Sequence, residues 1–154
     1  MDFPILPEED LSVPEVDFFS ENIDFELPDQ SQHADWLISV ASDEGTPFFE
    51  LSIIYCSDEH LRDINVEYLD HDYYTDIITF PHSDNAVHGD LFISIDRVQD
   101  NAQTNGVAFE EELRRVMVHG VLHLCGYGDK SEEEARLMRS KEDHYLQTYK
   151  QSQS

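Results

Sequence analysis

The nine residues FFELSIIYC (Phe48–Cys56) constrain the fold of this chain more than any other stretch. The run is apolar except at Glu50 and Ser52, and it is rich in aromatic and β-branched side chains. A nearly continuous apolar run of this length is typical of a strand that is buried on both faces of a sheet. The sequence therefore predicts an interior β-strand at this point.

Patterns typical of strands and of helices alternate along the rest of the chain. Further strands are predicted at Val16–Phe19, at Asp76–Phe80 and at Leu91–Ile95, where Gly89-Asp90 precedes the strand. Helices are predicted after the capping residues Asp29 and Ser31, after Ser57, after Asp96, from Phe109 to Leu124, and after the capping box Ser131–Glu134. This mixture favours a mixed sheet over a purely parallel one.

The composition fits one domain with a single core. The chain has 154 residues, 40% of them hydrophobic, and its 34 acidic against 9 basic residues give a formal net charge of −25. Such a charge argues against extensive wrapping by nucleic acid and against docking on an anionic membrane, although it allows a small basic patch. Residues 1–15 are rich in proline and include an acidic cluster at Glu8–Asp10. We therefore expect an extended N-terminal arm, followed by a single domain at residues 16–150.

The cysteines and the N-terminus predict a cytoplasmic, soluble protein. Cys56 and Cys125 lie in apolar runs and belong to no C-x-x-C motif, which favours buried free thiols in a reducing compartment. The first residues lack the basic region and the apolar core of a signal peptide. No stretch approaches the roughly 18 consecutive apolar residues of a membrane span.

The motif HGVLHLCGYGD (His119–Asp129) is the strongest indication of chemistry in the chain. His119 and His123 are four residues apart on the helix predicted from Phe109, so both imidazoles can point to one ion. Gly126 is suited to end the helix, and Asp129 follows with a carboxylate that zinc accepts as a ligand. Two histidines and one aspartate would leave the fourth zinc position to water, as in catalytic sites.

Two other interpretations of this motif stay open at this point. The histidines can be core residues of an apolar helix that an ordinary turn follows. The spacing H-x-x-x-H-x-x-G-x-x-[H/D] is also that of metal peptidases of the metzincin type, which carry Glu directly after the first histidine as the general base. This chain has Gly120 at that position, which argues against a peptidase.

Three separate motifs resemble those of the YbeY family. HGVLHLCGY is similar to the family pattern H-G-x-L-H-L-x-G-Y-D-H. Asn65–Tyr68 and Thr75–Pro81 match N-x-x-Y followed by T-D-[VI]-[LI]-[ST]-F-P, and Gly89–Ser94 matches G-D-[IL]-x-I-S. The last helix agrees with the family in Ala135, Met138 and Glu142. Three motifs in the family's order and spacing are not explained by a chance match.

The resemblance implies a fold, a function and partners. YbeY proteins are zinc-dependent bacterial endoribonucleases that act in maturation of the 3′ end of small-subunit ribosomal RNA and in ribosome quality control. Their α+β fold has a small mixed, mostly parallel sheet flanked by helices, with the histidine helix at its centre. The resemblance implies one zinc ion, or another divalent metal, on His119, His123 and Asp129. The implied partners are ribosomal RNA and the small ribosomal subunit or its proteins, and neither DNA nor a membrane is expected.

The chain departs from the family pattern at two places. Asp129 stands where the family has its third histidine, and Gly128 replaces the aspartate before it. An anionic ligand neutralises part of the charge of zinc, so we expect a less acidified bound water and a site more open to Mg²⁺ or Mn²⁺. Leu69 follows Tyr68 where the family has an arginine that contacts RNA, so we expect weaker catalysis or a different mode of RNA binding.

Other residues are candidates for catalysis and RNA binding. The motif does not identify the general base, for which Tyr127 and Asp76 are candidates, with packing and turn formation as their alternative roles. Arg114 and Arg115 form the only adjacent basic pair and either bind a phosphate or form ion pairs with glutamates of their own helix. Three histidines flank the strand at Asp76–Phe80 and either line an RNA cleft or lie in solvated loops: His71, His82 and His88.

The preferred interpretation is a metal-dependent RNA hydrolase. One alternative is a non-catalytic ribosome-assembly factor with a structural metal site, which the acidic surface and Leu69 favour. Another is a metal-dependent peptidase or amidohydrolase. Cleavage of a ribosomal RNA precursor by the wild type and not by His123→Ala separates the first two, and turnover of a peptide with zinc present detects the third.

Overall fold

The computed structural model describes residues 13–153. The predicted N-terminal arm lies outside the described residues up to position 12, and the first strand begins at Glu15. Within the described range, no helix combines the length and the apolar character that crossing a membrane requires.

Four strands form one mixed sheet. They are β1 (Glu15–Glu21), β2 (Phe48–Cys56), β3 (Ile77–Pro81) and β4 (Val87–Ser94), and their spatial order is β1-β2-β4-β3. Strands β1 and β4 both run parallel to β2, whereas β3 pairs antiparallel with β4 at the edge. The predicted α+β fold with a mixed, mostly parallel sheet is therefore confirmed.

Five helices accompany the sheet in the described part of the chain. They are α1 (Gln30–Asp43), α2 (Asp58–Leu69), α3 (Ile95–Asn105), α4 (Phe109–Leu124) and α5 (Glu132–Ser152). The histidine helix α4 contacts β3, β4, α1, α3 and α5, so it occupies the centre of the molecule, as the family resemblance implied.

The main core lies between one face of the sheet and helices α1, α4 and α5. The sheet contributes side chains that are at most 1% exposed: Leu51, Ile53, Tyr55, Leu91 and Ile93. Burying each aliphatic side chain of this kind stabilises the fold by roughly 1.5–3 kcal/mol. Helix α4 is fixed in this core by Val116, Met117 and Val121, so its two histidines sit on a rigid support.

The opposite face of the sheet carries a smaller cluster. Leu61 and Ile64 of α2 pack there next to Cys56 and Ile78. Strand β2 is consequently buried on both faces only in its second half, since Glu50 is exposed and residues 53–56 are buried. Burial on both faces was predicted for the whole strand, so this prediction was wrong for the first half.

Both cysteines are free, as predicted. Cys56 is buried, and its thiol donates to the carbonyl of Ile93 at 3.6 Å, whereas Cys125 is half-buried. Burial raises the pKa of Cys56 to about 12 and also raises the pKa of Cys125.

Two helix starts match the predicted caps. The Ser57 hydroxyl accepts from the backbone N–H of His60 at the start of α2. Ser131 and Glu134 form the capping box of α5. Asp29 is the N-cap residue of α1, as predicted, but it adopts a left-handed conformation (φ 57°) and its side chain makes no capping bond. Ser31, the other predicted cap, lies inside the helix, so that assignment was wrong.

The region around β4 also differs from the prediction. Gly89 lies within the strand, where a Cβ would be 2.5 Å from the carbonyl oxygen of Phe80, so the close approach of β3 requires glycine. Ile95 begins α3 rather than ending the strand. Ser94, and not Asp96, caps that helix, by accepting from the backbone N–H of Arg97 at 3.0 Å.

Candidate metal centre

Helix α4 presents two imidazoles on one face. His119 and His123 are one helical turn apart, with ring centroids 4.6 Å from each other and planes nearly perpendicular at 86°. Both are partly exposed at the end of a helix whose other face is buried in the core. The sequence predicted this side-by-side arrangement from the spacing alone.

The turn after α4 returns a carboxylate to the histidines. Gly126 has a φ of 109°, a conformation that side-chain-bearing residues rarely adopt, and it turns the chain at the end of the helix. The Oδ2 atom of Asp129 then lies 3.3 Å from Nε2 of His119 and 3.4 Å from Nε2 of His123. The three candidate donor atoms lie within 4.8 Å of one another, a spacing that one metal ion can bridge.

A buried carboxylate orients His119. The Nδ1–H of His119 donates to Glu142 of α5 at 2.6 Å, and Arg115 donates to the other carboxylate oxygen at 2.8 Å. Burial alone would raise the pKa of Glu142, but these two hydrogen bonds lower it below its ordinary value. Burial alone would lower the pKa of His119, but Glu142 and Asp129 raise it. A carboxylate behind a ligand histidine is a common support of metal sites.

A main-chain carbonyl orients His123. Its Nδ1–H donates to the carbonyl oxygen of Tyr127 at 2.8 Å, within the turn that follows the helix. An oxygen accepts from Nδ1–H in both bonds, so in the neutral form of each ring the Nε2 lone pair is on the side of Asp129. Both rings are thus set in the orientation that metal binding requires.

Gly120, between the two histidines, is required by packing. A Cβ at this position would lie 2.7 and 2.8 Å from the two Cδ atoms of Leu91 and 2.9 Å from Cδ1 of Ile77. Helix α4 therefore approaches β3 and β4 closely only because this residue has no side chain. The glutamate that a metzincin carries here would collide with the sheet, which agrees with the argument against a peptidase.

A cleft of about 580 Å³ opens beside the three candidate ligands. Its walls include Asp76, Leu69 and Lys130, and they extend to His71 and Tyr73 in the loop before β3. A smaller depression of about 290 Å³ adjoins His119 and contains Asp76, Arg115 and Arg139. The candidate metal centre therefore lies where two concave surfaces meet.

Asp76 lines both the cleft and the smaller depression. Burial raises the pKa of its carboxyl group above the ordinary value of 3.8, although the charge of His119 and its own backbone N–H oppose the shift. Its backbone carbonyl accepts from the N–H of Ser94, which fixes the start of β3. The structure thus brings this catalytic candidate to the site.

Tyr127, the other catalytic candidate, points its hydroxyl away from the ligands. The hydroxyl donates to Glu44 at 2.6 Å, and Lys141 lies 5.3 Å from the ring centroid. Its side chain anchors the turn to α1, and only its carbonyl reaches His123.

The two adjacent arginines both contact α5. Arg115 donates to Glu142 and, at 2.7 Å, to Asp143. The guanidinium of Arg114 lies 4.4 Å from the ring centroid of Tyr149. Arg115 therefore pairs with carboxylates of another helix rather than with glutamates of its own.

The three flanking histidines divide between the two sides of the sheet. His71 lines the cleft. The Nε2–H of His82 donates to Asp90 at 3.0 Å, and its ring lies 5.3 Å from the His88 ring, on the side where Phe92 faces α2. Asp90 is therefore remote from the ligands.

Sequence reasoning missed the supports of the metal centre. Glu142 is indicated in the sequence only through the family resemblance, and the carbonyl of Tyr127 has no side-chain signal at all. The signal for Glu142 is its place on the helix after the motif, but its distance of 23 residues from His119 hides the contact.

A family model and several similar proteins carry the same description. The family described as Endoribonuclease YbeY matches residues 15–150. Proteins named Endoribonuclease YbeY from Flavobacterium johnsoniae and Flavobacterium psychrophilum are 49% and 48% identical, over 83% and 85% of this chain and 93% and 94% of their own. The solution structure of TM1509 from Thermotoga maritima has the same fold, with a TM-score of 0.63 at 24% identity, over 87% of this chain and 88% of that one.

Proposed function

The chain belongs to the YbeY endoribonuclease family, and on this premise we propose that it is a metal-dependent enzyme that hydrolyses the backbone of RNA. The main support is the convergence of three donor atoms, from His119, His123 and Asp129, at the side of a cleft.

We propose zinc as the metal and these three residues as its ligands. Two imidazoles with one carboxylate, leaving one position open, form a donor set used by catalytic zinc. The oriented Nε2 atoms fit this role, whereas harder ions prefer sites built mainly from oxygen. Zinc bound there would supply an acidified water and would polarise a phosphoryl oxygen.

The residues around the ligands have separate tasks in this proposal. Glu142 and the carbonyl of Tyr127 hold the histidine rings in place. Asp76 is the candidate for proton transfer, because it lines the cleft and its raised pKa makes it a stronger base than an exposed aspartate. Tyr127 is the weaker candidate, because Glu44 accepts its hydroxyl hydrogen.

Few positively charged side chains near the candidate metal ligands are available to bind the phosphates of RNA. Lys130 lines the main cleft, and Arg115 and Arg139 line the smaller depression. Arg115 retains its ion pairs there, and Arg114 stacks on Tyr149. We therefore propose Lys130 and Arg115 as phosphate contacts, with Arg114 further from the cleft.

We propose the 3′ end of small-subunit ribosomal RNA as the substrate and ribosome quality control as the setting. A protein with a net charge of −25 binds RNA weakly through its surface as a whole, so a partner in the small ribosomal subunit would supply part of the affinity. We propose that the protein acts in the cytoplasm. We propose that residues 16–150 form the hydrolase domain and that the predicted arm at residues 1–15 ends where β1 begins, at Glu15.

Single-turnover cleavage of a small-subunit ribosomal RNA precursor tests the activity. We expect the zinc-loaded wild type to cut near the mature 3′ end and His123→Ala to fall to background. Equal cutting by both proteins would reject the proposed nuclease site. No cutting by a zinc-loaded wild type, alone or with the small subunit, would favour a non-catalytic assembly factor.

Metal analysis tests the ligand set independently of activity. We expect about one zinc per chain in the wild type and a marked loss in Asp129→Ala. Asp143→Ala is the matched control, because that aspartate lies on α5 with its side chain 61% exposed and, among the described residues, forms its ion pair with Arg115 alone. A fully loaded Asp129→Ala protein would exclude the third ligand.

A further inference from the structure

The loop between α2 and β3 is held rigidly beside the cleft. Asn65 of α2, which is 1% exposed, donates from Nδ2 to the backbone carbonyl of Tyr73 at 3.1 Å. Arg62, one turn earlier on the helix, forms an ion pair with Asp72 at 2.7 Å. These contacts fix the middle of the loop at two points.

Tyr74 fixes the loop at a third point, on the side away from the cleft. Its hydroxyl donates to Glu59 at 2.5 Å. The guanidinium groups of Arg62 and Arg97 lie 5.6 and 5.4 Å from its ring centroid. Tyr74 is therefore occupied by structural contacts, and the loop needs little reordering to bind a ligand.

This loop holds two stacked aromatic rings, those of His71 and Tyr73, in the cleft. His71 and Tyr73 have ring centroids 5.2 Å apart and planes at 18°, and the Tyr73 hydroxyl is 3.0 Å from Nδ1 of His71. Both residues line the cleft that contains the candidate ligands. Tyr73 is 55% exposed, so the pair presents a flat aromatic surface to whatever enters.

The charge of the cleft limits how RNA can be held there. Among the described residues that line it, Lys130 is the single lysine or arginine. Much of the remaining wall is apolar, from Leu69, Ile77, Pro81 and Leu124. A polyanion cannot gain much affinity from one cation, whereas a nucleobase can stack on an exposed aromatic ring.

We propose that the His71–Tyr73 pair is a base-stacking subsite, which holds the nucleobase next to the scissile phosphate of an RNA strand. The inference rests on the proposed function, since it identifies part of the substrate site of that reaction. Stacking of one base on an aromatic side chain changes affinity by roughly 5- to 150-fold. The subsite thus supplies affinity that the few cations of the cleft cannot supply, and it positions the strand by a base in addition to the phosphate contacts proposed for Lys130 and Arg115.

Abasic substitution of the RNA, combined with mutation of Tyr73, tests the subsite. A short RNA that the wild type cleaves at one position is prepared in versions that each lack one base. We expect one version, abasic next to the cut, to bind the wild type roughly 5- to 150-fold more weakly. Tyr73→Ala should weaken binding of the intact RNA by a similar factor. For Tyr73→Ala, the intact and the abasic RNA should bind with the same affinity.

Three further proteins sharpen the result. Tyr73→Phe keeps the ring and should restore the sensitivity to the missing base, whereas His71→Ala should reduce it. Tyr68→Ala is the matched control, because Tyr68 is 64% exposed but lines the groove on the other side of the sheet. The kcat/KM of Tyr73→Ala on the intact RNA should fall by about the same factor as its affinity, whereas that of Tyr68→Ala should equal the wild-type value.

The outcomes distinguish this proposal from the proposed nuclease function. Equal penalties for the missing base in the wild type and in Tyr73→Ala, with cleavage intact, would overturn the subsite alone. If the wild type cuts no RNA, binding to the full chain in EDTA still decides the matter. RNA with 2-aminopurine at each position should then lose fluorescence at one position on the wild type and on Tyr73→Phe, and at none on Tyr73→Ala.

Discussion

The two histidines of α4 belong to one helix, yet the protein supports them in different ways. His119 is held by the side chain of Glu142, a buried carboxylate from α5 that also binds Arg115. His123 is held by the main-chain carbonyl of Tyr127, in the turn that directly follows the helix. We refer to these as the side-chain support and the main-chain support.

The difference determines which mutations can disturb each ligand. The side-chain support depends on a contact between residues 119 and 142, so one substitution removes it. The main-chain support survives any change of the Tyr127 side chain that leaves the turn intact. It is vulnerable only through the backbone, and above all through the left-handed conformation of Gly126.

The largest effect is expected from breaking the side-chain support with Glu142→Ala. The substitution leaves the half-buried guanidinium of Arg115 with Asp143 alone and should lower the free energy of unfolding by about 3 kcal/mol. It should also weaken zinc binding about 10- to 100-fold, because His119 loses the group that orients it. Chemical denaturation and competitive zinc titration measure the two effects.

Two control variants separate the loss of the hydrogen bond that orients His119 from the loss of a negative charge beside Arg115. Glu142→Gln retains an acceptor for the Nδ1–H of His119, so it should lie between the wild type and Glu142→Ala in zinc affinity. Asp143→Ala removes the exposed partner of Arg115 and should leave zinc affinity unchanged. Zinc binding by Glu142→Ala as tight as that of the wild type would show that His119 needs no such support.

A smaller effect is expected from straining the main-chain support with Gly126→Ala. No atom lies within 4 Å of the added Cβ, so the whole cost comes from a φ of 109° and should be about 2 kcal/mol. If the turn relaxes, the Tyr127 carbonyl and Asp129 move away from His123. Zinc affinity should then fall about tenfold.

Gly106→Ala is the matched control for this variant. Gly106 ends α3 with a φ of 68° and also has open space at the Cβ position, but it lies outside the metal centre. We expect a similar loss of stability without a change in zinc affinity. Tyr127→Phe should likewise leave zinc affinity unchanged, and a large loss there would show that the side chain, and not the carbonyl, supports His123.

The same contrast explains how far the sequence could predict the site. Spacing along one helix is a local property, so the sequence alone is enough to pair His119 with His123. The resemblance and Gly126 together predicted that Asp129 returns to them, and the structure places its carboxylate beside both rings. Glu142 could not be assigned its role, because its contact depends on how α5 packs across α4.

Prediction of the fold had a similar limit. Apolar runs and capping residues indicated the strands and helices, because both depend on local conformation. Which strands are neighbours is a long-range property. The burial of β2 on one face or on both depends on which part of the strand α2 packs against. The required glycine at position 120 also has no local signal, since only the approach of Leu91 and Ile77 demands it.

The smallest effect concerns the anchor that ties the turn of the main-chain support to α1. Glu44 accepts hydrogen bonds from the hydroxyls of Tyr127 and Tyr145 and from Lys141. Burial alone would raise the pKa of Glu44, but these bonds lower it below the ordinary value of 4.5. The folded protein therefore holds this carboxylate charged at a pH where the unfolded chain already binds a proton.

Glu44→Gln should consequently change how stability depends on pH. A lowered pKa gives stability that is present above pH 4.5 and is lost as the pH falls through the folded value. We expect the wild type to exceed Glu44→Gln by about 1.5 kcal/mol near pH 7, with a difference that shrinks below pH 4.5. Urea denaturation of both proteins between pH 3 and pH 7 measures it, with Glu133→Gln, an exposed glutamate of α5, as the control for loss of one charge. A difference that stays constant over this range would mean that the anchor acts through packing alone, and that the turn which orients His123 does not depend on the charge of Glu44.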